Sequence, residues 1–237
     1  MRIVNIHQPN YVPALSYFAK MAAADIFVSL DDVEYSKNNW TNRNQLKGPN
    51  GPMWLTIPVR YANGSRQQIN EIETVSESNW QTKHWRTITA NYSRAPFFGT
   101  YKDLLNTIYE VKWGKLGQIN EALLEQVSGW LDITSHTCIV RSSTLNVEGT
   151  SSERLVRLCQ AVGGNAYLCG SGGLKYLDVD AFKRAGIEVM VHENVEHEYR
   201  QCWGPFVERL SVLDALLNIG GSEVSKLIKR GHGVRTV

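Results

Sequence analysis

Three stretches of the chain carry side chains able to do chemistry. His7 sits in Ile6–Pro13 (IHQPNYVP) straight after a short apolar run, Asp31 and Asp32 close a second such run, and Gly170-Ser171-Gly172-Gly173 with Lys175 follows a third. An imidazole titrates near neutral pH, so His7 is the candidate acid–base catalyst. Gln8, Asn10 and Tyr11 share its loop and are expected to contact the ligand beside it. Successive residues of an extended chain point to opposite faces, so Asp31 and Asp32 are not equivalent. One is expected to orient His7 or a substrate amine, the other to cap the next turn.

A fourth stretch supplies binding groups. In Ser36–Asn44 (SKNNWTNRN), Arg43 can hold phosphate or carboxylate through paired hydrogen bonds, Lys37 is a point charge, and Asn42 and Asn44 offer amides. Trp40 either gives a platform for a sugar or a base or joins the core. The Gly170–Gly173 backbone can approach an anion, or is a plain connection that needs positive φ. Its spacing matches neither the Walker loop nor a dinucleotide fingerprint. Cys169 precedes it, but buried thiols at strand ends are usually inert. Cys138, Cys159, Cys169 and Cys202 lack zinc-site spacing, and the histidines show no HExxH pattern, so neither a metal nor a resident cofactor is expected.

These groups need a scaffold, and the pattern of the chain supplies one. Arg2–Ile6 and Ile26–Leu30 read as strands and Leu15–Ala24 as a helix, a βαβ unit that puts both strand ends on one sheet edge. Pro49-Asn50-Gly51 predicts a hairpin joining residues 43–47 to 53–59. Helical periodicity follows over 80–92, 101–111 and 116–131, read as a helical insertion at about 79–132. Further strands are expected at 138–140, 166–169 and 187–192, with helices at 155–162 (opened by a Thr150–Glu153 capping box), 179–185, 210–219 and 224–229. The fold class is α/β: a mixed or mainly parallel sheet with flanking helices and that insertion, in a single domain over 1–237.

Composition narrows the partners. With 25 Lys and Arg against 23 Asp and Glu, the net charge of +2 gives no case for nucleic acid or an anionic membrane surface. No apolar run nears the ~18 residues that cross a bilayer, and no leader pattern opens the chain, so a cytoplasmic protein is expected.

The runs IHQPNYVPALSYFAKMAAADIFVSLDDVEYSKNNWTNRNQLK, YLCGSGGLKYLD and YRQCWGPFVERLSVLDALLNIGG together resemble the WbqC-like protein family over nearly the whole length. Val12 and Ala14 stand where members of that family typically carry Leu and Trp, and Cys169-Gly-Ser-Gly-Gly173 replaces a common Ser-Gly-Pro-Gly-Gly. The resemblance implies a role beside surface-polysaccharide assembly, notably O-antigen, in bacteria. The expected activity is a transferase that passes an acyl or aminoacyl group to an amino sugar or nucleotide-linked sugar. Its partners would then be a small-molecule sugar or nucleotide sugar and an acyl-thioester, aminoacyl carrier or nucleotide-linked co-substrate. Two other classes stay open: a non-catalytic glycan- or carrier-binding protein, and a nucleotidyl transferase or hydrolase.

Overall fold

Apolar residues alternate with polar ones at the start of the chain, and the strand they form, β1 (Ile3–His7), is buried along its middle. In the computed structural model, which describes residues 1–62, 66–194, 197–230 and 232–237, β1 leads into α1 (Leu15–Ala22) and then β2 (Ile26–Ser29). The expected βαβ unit therefore forms, with β1 and β2 parallel from Val4–Ile26 to His7–Ser29.

The expected hairpin follows, β3 (Arg43–Gly48) and β4 (Gly51–Thr56), with Gly51 at φ 99° and the second strand earlier than the expected 53–59. Two short strands not anticipated from sequence, β5 (Val59–Arg60) and β6 (Glu73–Thr74), pair next. Then come α2 (Trp80–Tyr92), α3 (Phe98–Glu110) and α4 (Leu116–Trp130), all within the stretch read as helical. After these the chain alternates again: β7 (Cys138–Arg141), α5 (Ser151–Ala161), β8 (Ala166–Gly170), α6 (Ser171–Leu174), α7 (Val179–Arg184) and β9 (Glu188–Asn194). It ends in α8 (Val212–Arg230) and β10 (His232–Thr236).

One mixed sheet organises the molecule, in the order β10-β9-β8-β1-β2-β7. Five of its strands are parallel, and β10 runs antiparallel to β9. The twofold alternation of strand side chains divides its two faces. Val4, Ile6, Ile26, Val28, Tyr167, Val189 and Val191 form one core with Val156, Leu158 and Phe182 from α5 and α7. Phe27 points the other way, into a larger core built from α1, α8 and the three helices α2–α4.

Two local expectations are corrected. Thr150 makes no side-chain cap, because the helix begins at Ser151 and the hydroxyl forms no bond to a first-turn amide. The glycines 170–173 do not form an extended loop: none has positive φ, and residues 171–174 close a helical turn. The two C-terminal helices run together as α8, and the break between them falls where the sequence puts it, with Gly220 non-helical at φ 77°. A Cβ at Gly220 would lie 2.6 Å from the Phe97 ring, so close approach fixes that residue as much as conformation does.

A buried polar chain fastens the helices to the start of the sequence. The Thr56 carbonyl lies 3.1 Å from Nε2 of His84 and can only accept, so Nε2 carries the proton. Nδ1 of His84 then accepts from the Tyr11 hydroxyl at 2.8 Å, and Tyr11 accepts from the Tyr109 hydroxyl at 2.6 Å. Burial lowers the His84 pKa from its usual 6.5 to about 4, which keeps the ring neutral as the chain requires.

An unfolded His84 would take up a proton near pH 6.5, whereas the folded one resists until about pH 4. Its contribution to stability is therefore complete above pH 6.5 and is lost as the pH falls towards 4. Urea unfolding midpoints are expected to drop between pH 7 and pH 5, and the drop should shrink in His84→Gln. An equal drop in both proteins would refute the assignment.

Candidate functional site

Leaving β1, the chain builds outward through β2 and β7, then returns to lay β8 on the opposite side of β1. The connections from β1 and β8 therefore leave in opposite directions, and such a switch point opens a crevice at the carboxyl ends of the strands. A cleft of about 420 Å³ lies there. His7 from the end of β1, Gly170 from the end of β8 and His192 from β9 line it, with Ser171 and Gly172 of α6.

His7 is held in a defined state. Its Nδ1 lies 2.9 Å from the Gln8 carbonyl, which can only accept, so Nδ1 carries the proton. The Tyr17 hydroxyl donates to the same carbonyl at 3.2 Å, and the Tyr17 ring stands edge-on to the imidazole at 4.7 Å. Burial first and the Lys20 cation second push the His7 pKa down to about 3, against the pull of the Gln8 bond. The ring is thus neutral near pH 7, and Nε2 keeps its lone pair.

The loop after His7 is strained and clamped. Val12, a β-branched residue, is buried at φ 38°, a region such residues seldom occupy. Asn44 restrains it, donating from Nδ2 to the carbonyls of Tyr11 (3.1 Å) and Val12 (2.9 Å). Strain of this kind persists only where the surroundings over-determine it, and here the restraining amide also lines the cleft.

Of the residues singled out from sequence, His7, Asn10, Trp40, Asn44, Gly170, Ser171 and Gly172 meet in this cleft. Gln8 supports His7 through its carbonyl. Tyr11 is fully buried in the chain with His84 and Tyr109. Asn42 is buried and donates to the Ile57 carbonyl at 3.0 Å. Arg43 bonds the Asn38 carbonyl at 2.6 Å and lies 4.4 Å over the Trp54 ring. Lys37, Gly173 and Lys175 are exposed and do not line the cleft.

Asp31 and Asp32 lie elsewhere. Asp31 is buried, accepting from the Ser143 amide (3.0 Å) and hydroxyl (2.7 Å), with Ser142 Oγ at 3.1 Å. Asp32 meets Ser142 Oγ and the Arg154 guanidinium, each at 2.5 Å. The pair thus rivets the end of β2 to the turn after β7 and to α5. Neither carboxylate bonds His7, whose ring is oriented by a backbone carbonyl instead.

Besides Pro13, Ala14 and Ser16, four lining residues escaped the sequence reading: Tyr17, Lys20, His192 and Arg209. One signal for two of them was present. Pro13, Ser16, Tyr17 and Lys20 recur at helical spacing along one face of α1, and Lys20 is a lone charge among apolar neighbours. Nothing local marks His192 or Arg209, which arrive from strands and loops far along the chain. Arg209 is delivered by a segment that Lys47 anchors: this fully buried amine donates to Gln201 Oε1 (2.9 Å) and to the Gly204 and Pro205 carbonyls. The same segment is tied through Tyr199, which donates to buried Asp214 at 2.8 Å, as Tyr92 does at 2.6 Å.

Cys169 is buried below the cleft, and burial raises its thiol pKa, so it is held as the thiol. Among the described residues no cluster of three or more His, Cys, Asp or Glu could hold a metal ion. Nor is any described helix long and apolar enough to cross a membrane.

The WbqC-like protein family matches residues 8–226. The chain belongs to that family. A protein of Mycobacterium tuberculosis described as "Uncharacterized protein Rv1507c" is 34% identical to it over 222 residues, covering 93% of this chain and 95% of that protein. No solved structure matches it significantly. Membership of the WbqC-like family fits a role in polysaccharide-related biosynthesis.

The rivet at β2 is expected to matter to folding rather than to ligand binding. Asp31→Ala would leave the Ser143 amide and hydroxyl without their acceptor and cost about 1–3 kcal/mol. Urea unfolding should show that loss while ligand affinity in the cleft holds. A variant of full stability but without affinity would instead place Asp31 in the site.

Proposed function

We propose that the chain transfers an acyl or aminoacyl group to the amine of a sugar, with the sugar carried on a nucleotide, as a step of surface-polysaccharide or O-antigen assembly. The observation that carries this reading is the unprotonated Nε2 of His7, held by the Nδ1 bond to Gln8 in a cleft at the switch point of the sheet. A neutral imidazole so fixed suits a general base. In the proposed step the amine nitrogen attacks the acyl carbon of a thioester, the C–N bond forms as the C–S bond breaks, and the amine proton passes to Nε2. That proton then leaves with the thiolate. Gly170–Gly172 amides are the candidates to meet the developing oxyanion, while Asn10 offers hydrogen bonds to sugar hydroxyls. Direct attack is preferred to a covalent relay because Cys169 is buried and held as the thiol.

A second reading draws on the surface beside the cleft. Trp40 (42% exposed) and Trp54 (45%) lie 5.5 Å apart between ring centroids, with Arg43 over Trp54. Such a platform suits stacking on a sugar and favours a glycan-binding protein without catalysis.

The two readings part on one comparison. Incubated with a nucleotide-linked amino sugar and acyl-thioester donors, the wild-type protein should form an acylated sugar detectable by mass, and His7→Gln should slow it by about 10²-fold or more. Glycan binding that survives His7→Gln, is lost in Trp40→Ala and yields no product with any donor would favour the binding reading.

A further inference from the structure

Lys20 is a partly buried charge at the wall of the cleft. Its side chain reaches across from α1 to the end of β8, where a Cβ placed on Gly170 would lie 3.6 Å from both Cδ and Nζ. It lines the cleft with His7, Tyr17, His192 and Arg209, and no carboxylate is among the described lining residues. None of the ion pairs among the described residues includes it. Lys20 is partly buried, and a partly buried cation with no opposite charge beside it favours an incoming anion. Arg209 lies in the same wall.

Lys20 also acts on His7. Its positive charge disfavours a second positive charge on the imidazole, and burial acts in the same direction. With the cleft empty, His7 is too weak a base for the transfer proposed above. An anion seated on Lys20 would cancel the opposing charge and place a negative one beside the ring.

We infer that Lys20 binds an anionic group of the substrate, phosphoryl or carboxylate, and that seating this group enables His7 to accept a proton. Anion capture stands on the cleft alone; only the role given to the protonated His7 rests on the transferase reading. The device makes the base depend on the substrate: a neutral sugar lacking the anion would bind beside an inactive imidazole. The groups that share the site with Lys20 are His7 on β1, Tyr17 on its own helix, Cys169 on β8, His192 on β9 and Arg209 ahead of α8. None of them is an acid that would already serve as its counter-ion.

The test follows the His7 ring by NMR, assigned with His7→Gln, during pH titration of the full chain. Without ligand His7 should titrate at about 3. Pyrophosphate and uridine diphosphate form one arm and acetate the other, which separates phosphoryl from carboxylate recognition. A bound anion should move the His7 titration up towards its usual 6.5. Lys20→Met should weaken anion binding by about tenfold or more and raise the His7 titration even in the empty protein. Lys20→Arg keeps the charge and should retain binding, which guards against a folding defect in Lys20→Met. Unchanged binding and an unmoved His7 titration in folded Lys20→Met would overturn the inference. Anion binding and a shifted His7 with no acyl transfer would leave the inference standing and sink the transferase reading.

Discussion

The position of β1 governs the rest of the structure. Its backbone pairs on one side with β2, only a helix away in sequence, and on the other with β8, more than 150 residues later, so that Val4 faces both Ile26 and Tyr167. Because β1 satisfies hydrogen bonds on both edges, it must be the interior strand from which the chain turns first one way and then the other. Divergence of the two connections leaves the crevice, and His7 stands in it because it ends β1. No rearrangement of the helices could move the cleft without breaking this pairing.

The helical layer then decides what the cleft contains. α1 packs its Tyr17, Phe18 and Met21 into the large core, which leaves Ser16 and Lys20 on the side that faces the strand ends. Lys47 is one of the anchors of the segment before α8: its amine meets one side chain and two carbonyls in a fully buried place. Lost contacts there would be costly, since a buried charge without partners is much worse than no charge. The Tyr109–Tyr11–His84 chain does the same for the loop after His7. Two buried polar networks thus stand behind the two loops that form the walls of the site.

Charge gives the cleft its character. Overall the chain is close to neutral, yet cations and imidazoles collect at the strand ends while the paired aspartates are drawn aside to hold β2, Ser142, Ser143 and Arg154 together. Burial disfavours the charged form of both Lys20 and His7, and His7 stays neutral near pH 7.

Much of this was readable in the sequence because it is local. Period-two and helical patterns depend on neighbouring residues, so β1, α1, β2, the hairpin and the three central helices fall where the pattern puts them, and the IHQPNYVP stretch announces its family. His7, Asn10, Trp40, Asn44 and the start of the glycine stretch were marked by type and position. Pairing between distant strands was not readable, since no local signal says that β8 lies against β1 or that β10 turns back on β9. The same gap separates Asp31 and Asp32 from His7: adjacency to a strand end was visible, but the serines and arginine that claim them come from more than 100 residues away. Arg43 was visible as a binding residue by type, yet its guanidinium lies on Trp54 across the hairpin. Sequence alone determined which elements form and which residues could do chemistry; tertiary structure decided which of them share a cleft, because burial and charge depend on neighbours that only the folded chain supplies.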